Sequence, residues 1–259
     1  MTAPMRLPPP FATAAARLGE VISWTCGGVS VRHADLVAAL RDAALDDHVA
    51  RELAPRHAFT RACRKLSDQR IIRQVGEDES VLRFQFTAEH RDGDRFEYAL
   101  ETMLSLDKRT GAVQCGLPGL ATLAQEHLDR AIDARTGSDV TRVIQRLFER
   151  HADLFPIRPQ GGCYFVPDRH IPFVDKVHTF LGRIHGQLLR FPVPAGTSEG
   201  DRSVKEAVAA GLAALIADHR AAVESFGDDT RPETIERAAL RIRTTRFKVE
   251  SYAALLAER

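Results

Sequence analysis

The spacing of hydrophobic positions changes along the chain, and each change marks an element. From Ser30 the run VRHADLVAALRDAAL places Leu36, Val37, Leu40 and Ala44 on one helical face until Asp46-Asp47 interrupts it. A short helical piece, HVARELA, leads to Pro55. RHAFTRACRKLSDQ then turns Ala58, Phe59, Ala62, Cys63 and Leu66 inward, with Arg56, Arg61, Arg64 and Lys65 outward. The period falls to two in IIRQV, VLRFQFTAEH and RFEYALETMLSL, which are separated by GEDES and RDGD turns and followed by DKRTG and AVQC. This predicts an antiparallel meander of three long strands with a short fourth.

GLPGL at 116–120 reads as a boundary before a helical stretch carrying Leu120, Leu123, His127, Ala131 and Ala134. After Thr136-Gly137, Ser138 or Asp139 is placed to cap a helix whose buried face is Val140, Ile144, Leu147 and Phe148. Next come an edge strand around Pro156 and Pro159, a Gly161-Gly162 turn, and a second strand through Cys163–Val166. A helix with Pro172 in its first turn carries Val174, Val177, Leu181 and Ile184 inward; Gly186 ends it and LLRFPV returns as a strand. The stretch 138–194 is thus α-β-β-α-β. AGTSEGD reads as a flexible connector, and Ser203 with Glu206 and Thr230 with Glu233 read as capping boxes of two long helices. In the second helix Ile235, Ile242, Val249 and Leu256 recur every seven residues, joined by Ala238 and Tyr252. Residues 203–258 are therefore expected to form an antiparallel helical hairpin with a coiled-coil seam.

Pro8-Pro9-Pro10 excludes helix at the start, and a short Ala-rich helical candidate follows before Gly27-Gly28. Residues 1–28 are expected to be flexible or partly ordered, 29–117 a helix-plus-meander domain, and 118–259 an α/β unit with its helical hairpin. The fold class is α+β. Helices followed by a β-hairpin is the order of a winged helix, with 56–68 in the recognition position. Strands of this length fit equally a sheet covered by its helices.

The chain has 259 residues, 44% hydrophobic and 27% charged, as soluble globular proteins have. With 36 Lys and Arg against 35 Asp and Glu it has no long-range field, so affinity for nucleic acid must come from a local patch. Two patches offer themselves. The first is Arg56, Arg61, Arg64 and Lys65 with Arg70 and Arg73 beyond, and Arg91 and Arg95 at the RDGD turn as wing-tip phosphate contacts, although Asp92 and Asp94 weaken that field. The second, Arg237, Arg241, Arg243, Arg246 and Lys248, reads better as the solvated flank of the seam. A two-helix hairpin cannot bury a full apolar stripe alone, so Ile235, Ile242, Val249, Tyr252 and Leu256 are expected to meet a second copy, a protein partner or the 138–194 unit.

The four cysteines include no C-x-x-C pair, which argues against a zinc ribbon or thioredoxin-like motif and suits reduced thiols in the cytoplasm. His151, His170, His178 and His185 are not spaced for one helical metal site, and neither metal nor cofactor is expected. Cys163 with His170, oriented by Asp168 or Asp175, is the one candidate nucleophile, against the plain reading of a small strand hydrophobe. Phosphate-loop, G-x-S-x-G and H-E-x-x-H motifs are missing. No apolar run approaches the roughly 18–20 residues that span a bilayer, and MTAPMRLPPPF has no signal-peptide core.

GGCYFVP, the helix after it, LLRFPVP, the closing hairpin ending VESYAALL, RHAFTRACRKL and LSLDKRTGAV together resemble an uncharacterised family of bacterial, archaeal and phage proteins, over residues 30–259. The resemblance implies the element order and no activity. The expected function is non-enzymatic DNA binding or nucleoprotein assembly through the basic helix. The alternative is a protein–protein scaffold acting through the helical hairpin, and third a hydrolase built on Cys163.

Overall fold

The computed structural model describes residues 16–45, 52–67, 70–92, 94–158 and 160–257. The Pro-rich start, most of the Ala-rich stretch, the 46–51 part of the piece before Pro55, Gly93 and Pro159 lie outside the described residues. The chain forms two units: residues 27–143, and residues up to 26 together with those from 144 on.

In the first unit a short pair, β2 (Ser30–Arg32) with β7 (Ala134–Thr136), brackets α1 (His33–Asp42). The expected meander is present as β3 (Arg70–Glu77), β4 (Val81–Asp92), β5 (Arg95–Asp107) and β6 (Val113–Cys115), all antiparallel in that order. Its turns close on their own carboxylates. Asp78 accepts the N–H groups of Ser80 and Val81, and Asp107 those of Arg109 and Thr110.

One face of this sheet is covered. Ala58, Phe59, Ala62, Cys63 and Leu66 from α2 (Pro55–Lys65) and its end pack with Leu82, Phe84, Phe86, Leu104 and Leu106. Ala124 and Leu128 of α3 (Pro118–Asp133) complete the cluster. GLPGL is therefore not a domain boundary, because the helix after it buries its stripe on the meander. The division falls instead within α4 (Gly137–His151).

In the second unit α4 leads to β8 (Phe155–Pro156), β9 (Tyr164–Pro167), a 3-10 turn Asp168–His170, α5 (Ile171–Arg183) and β10 (Gln187–Pro194), as the α-β-β-α-β reading expects. The stretch expected to be flexible or partly ordered, with a helical candidate before Gly27-Gly28, carries a strand instead of that helix: Arg17–Thr25 forms β1, inserted between β10 and β9 in a sheet of order β10-β1-β9-β8. Val21 sits opposite Phe191 on one side and Phe165 on the other. The more buried face of β1 carries Glu20 beside Ile22 and its half-buried face carries Val21 beside Ser23, so RLGEVISWT lacks the apolar–polar alternation of a strand with one apolar face. Its side chains are held tightly: Ile22 is fully buried, and Trp24 stacks on Tyr164 and Phe148 at ring distances of 5.0 and 5.9 Å.

Two long helices, α6 (Ser198–Glu224) and α7 (Pro232–Ala257), form the expected hairpin. The predicted connector from Ser198 is helical, and Ser203 lies within the helix rather than at its cap. Among the described residues, no helix is long and apolar enough to cross a membrane.

Candidate functional site

The basic helix α2 carries no acidic residue, and the packing of Phe59 and Ala62 on the sheet turns Arg56, Arg64 and Lys65 to solvent. Arg61 has another task. Its two Nη groups donate to Asp139 Oδ2 and Oδ1 at 2.7 and 2.6 Å, and Asp139 also accepts the Thr136 N–H at 2.9 Å. Asp139 thus caps α4 and anchors α2 at once. Burial pushes its carboxyl up, but the Arg61 and Thr136 donors outweigh that and hold it at about 2. Arg70 is similarly engaged, donating to both oxygens of Glu101 at 2.6 and 2.9 Å.

The remaining predicted contacts do not join α2. Ile72 belongs to the core, so period two places Arg73 on the open face of the sheet. Arg91 shares that face, its guanidinium 5.8 Å from the Phe96 ring centroid. Arg95 is exposed near the end of the β4–β5 ribbon with Asp94 and Glu97. The eight cations thus separate into three exposed on α2, two committed to carboxylates, and three on the open face or ribbon.

The C-terminal hairpin is docked at its base. Val204, Val208 and Leu212 of α6 pack with Phe155 and Phe165, and Gly211 lies so close to Phe155 that a Cβ there would fall 2.8 Å from the ring. Tyr252 of α7 is buried edge-to-face on Phe155, with its hydroxyl donating to Asp153 Oδ2 at 2.8 Å. The same carboxylate receives Arg169 at 2.6 Å, Lys248 at 2.7 Å and the His170 ring nitrogen at 3.1 Å. Burial raises the Asp153 carboxyl, and the His170, Lys248, Arg169 and Tyr252 donors override it, holding the group well below the usual carboxylate range. Tyr252 is consequently an internal pin, not an available interface residue. Val249 is also half-buried against this cluster.

Beyond the base the hairpin becomes an arm. Leu215, Ile216 and Val223 on α6, with Ile235, Leu240 and Ile242 on α7, are exposed. Ile235 and Ile242 retain 45% and 40% exposure, so the stripe is half-buried at Val249, buried at Tyr252 and open at its tip end. Leu256, past the pin, is 37% exposed.

The Gly161-Gly162 turn is filled by its own neighbours. Arg158 Nε donates to the Gly161 carbonyl at 2.6 Å and Ser23 to the Gly162 carbonyl at 2.6 Å, while a Cβ on Gly161 would fall 2.9 Å from the Tyr164 hydroxyl. His170, the proposed base for Cys163, is engaged with Asp153. Among the described residues no group of three His, Cys, Asp or Glu is arranged to hold a metal ion. A second buried carboxylate, Glu20 on β1, accepts Arg190 Nε at 2.6 Å and Arg17 Nη1 at 3.1 Å. Sequence reasoning passed over Glu20 and Asp153 as ion-pair centres, because their partners lie up to 170 residues away.

The chain belongs to a family of unknown function, DUF6744, whose model matches residues 17–259, from the first residue of β1 onward. Neither a curated protein nor a solved structure matches it.

Proposed function

We propose that this member of the family is a non-enzymatic assembly protein whose C-terminal arm pairs with the arm of a second copy. The observation that carries the reading is the open half of the α7 stripe, Ile235 and Ile242, together with Ile216 and Val223 of α6, on a hairpin whose base is already anchored. Burying one such aliphatic side chain contributes about 1.5–3 kcal/mol. The arm also carries its own charge complement. Its tip holds Glu224, Asp228, Asp229, Glu233 and Glu236 against Arg231 and Arg237, and the α7 shaft holds Arg241, Arg243 and Arg246, the last paired with Glu250. The buried thiol of Cys63 fits a reducing, cytoplasmic setting.

Light scattering on the full chain over a concentration series tests the reading. The wild type is expected above one chain mass, and Ile242→Asp at one chain mass with unchanged far-UV circular dichroism. A wild type of one chain mass at high micromolar concentration overturns it.

A second role rests on α2, an acid-free helix presenting Arg56, Arg64 and Lys65 in the recognition position of a winged-helix-like order, with the β4–β5 ribbon as its wing. Three phosphate contacts on duplex DNA give a log–log salt slope of about −3. Changing all three to Ala should abolish binding measured by fluorescence anisotropy at low salt. No binding by the parent under those conditions removes this role.

A further inference from the structure

Resting on that reading of the arm, we infer that the two arms pair α7 against α7 in antiparallel sense, with Ala239 at the two-fold axis. Ile235, Ala239, Ile242 and Arg246 follow one another at helical spacing along one stripe of α7. The stripe is rotated away from the side of the helix that buries Thr245 and Tyr252. Its centre is the small, exposed Ala239, which lets two helix axes approach to about 8 Å. On the α6 side it borders a shallow groove lined by Ile216, Val223, Ile242 and Val249.

Antiparallel pairing about Ala239 brings Ile235 of each arm beside Ile242 of the other, within one residue of axial register. Glu236 and Arg243, which flank the stripe on the side away from α6, then face one another across the axis, and symmetry makes each contact twice. The tip of each arm, where Asp228, Asp229, Glu233 and Glu236 outnumber Arg231 and Arg237, lies along Arg243 and Arg246 of the other, Arg246 also pairing with Glu250 of its own helix at 2.9 Å. A parallel pairing puts Glu236 and Arg243 of the two copies on opposite flanks of the interface, where they do not meet, and brings the two tips, on which acidic residues predominate, together. Like charges so placed oppose association, so the charge pattern selects the antiparallel sense.

Cross-linking of the full chain distinguishes the two. With the axis at Ala239, two copies of position 235 are separated by about 12 Å along the helices, beyond disulfide reach of about 7 Å. Ile235→Cys and Ile242→Cys are each made alone, and both oxidise mildly beside the wild type as background for its native thiols. A covalent dimer is expected only when the two variants are mixed. Efficient linkage of either variant to itself overturns the antiparallel arrangement while leaving assembly through the arm standing; a monomeric wild type overturns both. Independently, Glu236→Arg should weaken self-association about tenfold, and adding Arg243→Glu in the same chain should restore it. Equal association of the single variant and the wild type overturns the inference.

Discussion

Replacing Asp139 by Asn tests whether Arg61 is a structural residue rather than a nucleic-acid contact. The carboxylate is 13% exposed and receives both Arg61 Nη groups, the Thr136 N–H and the Thr136 hydroxyl at 2.6–3.0 Å. Asn keeps the shape and one carbonyl acceptor for the Thr136 cap, but removes the charge that Arg61 faces. The carboxyl drops from 3.8 to about 2 in the fold. At about 1.4 kcal/mol per pKa unit, the ionised group therefore contributes roughly 2 kcal/mol. Because the folded value lies below the unfolded one, the contribution is complete above pH about 4 and is lost as pH falls through about 2. Urea unfolding followed by far-UV circular dichroism should show the variant's midpoint lower by about 1 M at pH 7. The gap should close toward pH 2. Equal midpoints at pH 7, or a gap undiminished at pH 2, would refute the assignment of Arg61 to this pair.

Tyr252→Phe removes one of the four donors on buried Asp153, at a cost of about 2 kcal/mol, read as an earlier Trp24 fluorescence transition on heating. An unchanged transition means the pin does not hold α7. Gly19→Ala puts a Cβ 2.1 Å from the Val166 carbonyl oxygen, where only backbone can give way. A loss of about 3 kcal/mol and poor soluble yield are expected, and a variant as stable as the parent would show that β1 does not approach β9 so closely. Burial pushes the Cys63 thiol up to about 12, so at pH 8 the native chain should resist alkylation at Cys63 until it unfolds. Prompt labelling of Cys63 in the folded protein, located by mass spectrometry, contradicts that burial.

Much of the local structure was legible in residue order. The meander announced itself because only one face of β4 and β5 is buried, so Leu82, Phe84 and Phe86 alternate with polar neighbours. Turn chemistry was equally plain at Asp78 and Asp107. Strand β1 was not legible, since Glu20 on its buried face breaks the alternation and its ladder partners lie more than 130 residues away. The basic helix and the heptad stripe were each found as patterns, but the pattern did not reveal which members were free. Arg61 and Tyr252 look like their neighbours in sequence; Asp139 and Asp153, 78 and 99 positions away, withdraw them.

Sequence alone therefore determined the α+β class, most of the element order from 30 onward, the short β2–β7 pair excepted, and the long terminal hairpin, because periodicity, turns and prolines act over a few residues. Tertiary structure decided that α3 belongs with the meander, that β1 completes the second sheet, and which part of the hairpin is anchored and which is an open arm. The physical reason is that burial and ion pairing are settled by whichever surface arrives opposite a side chain, and the residue pattern of one element does not contain the identity of its partner.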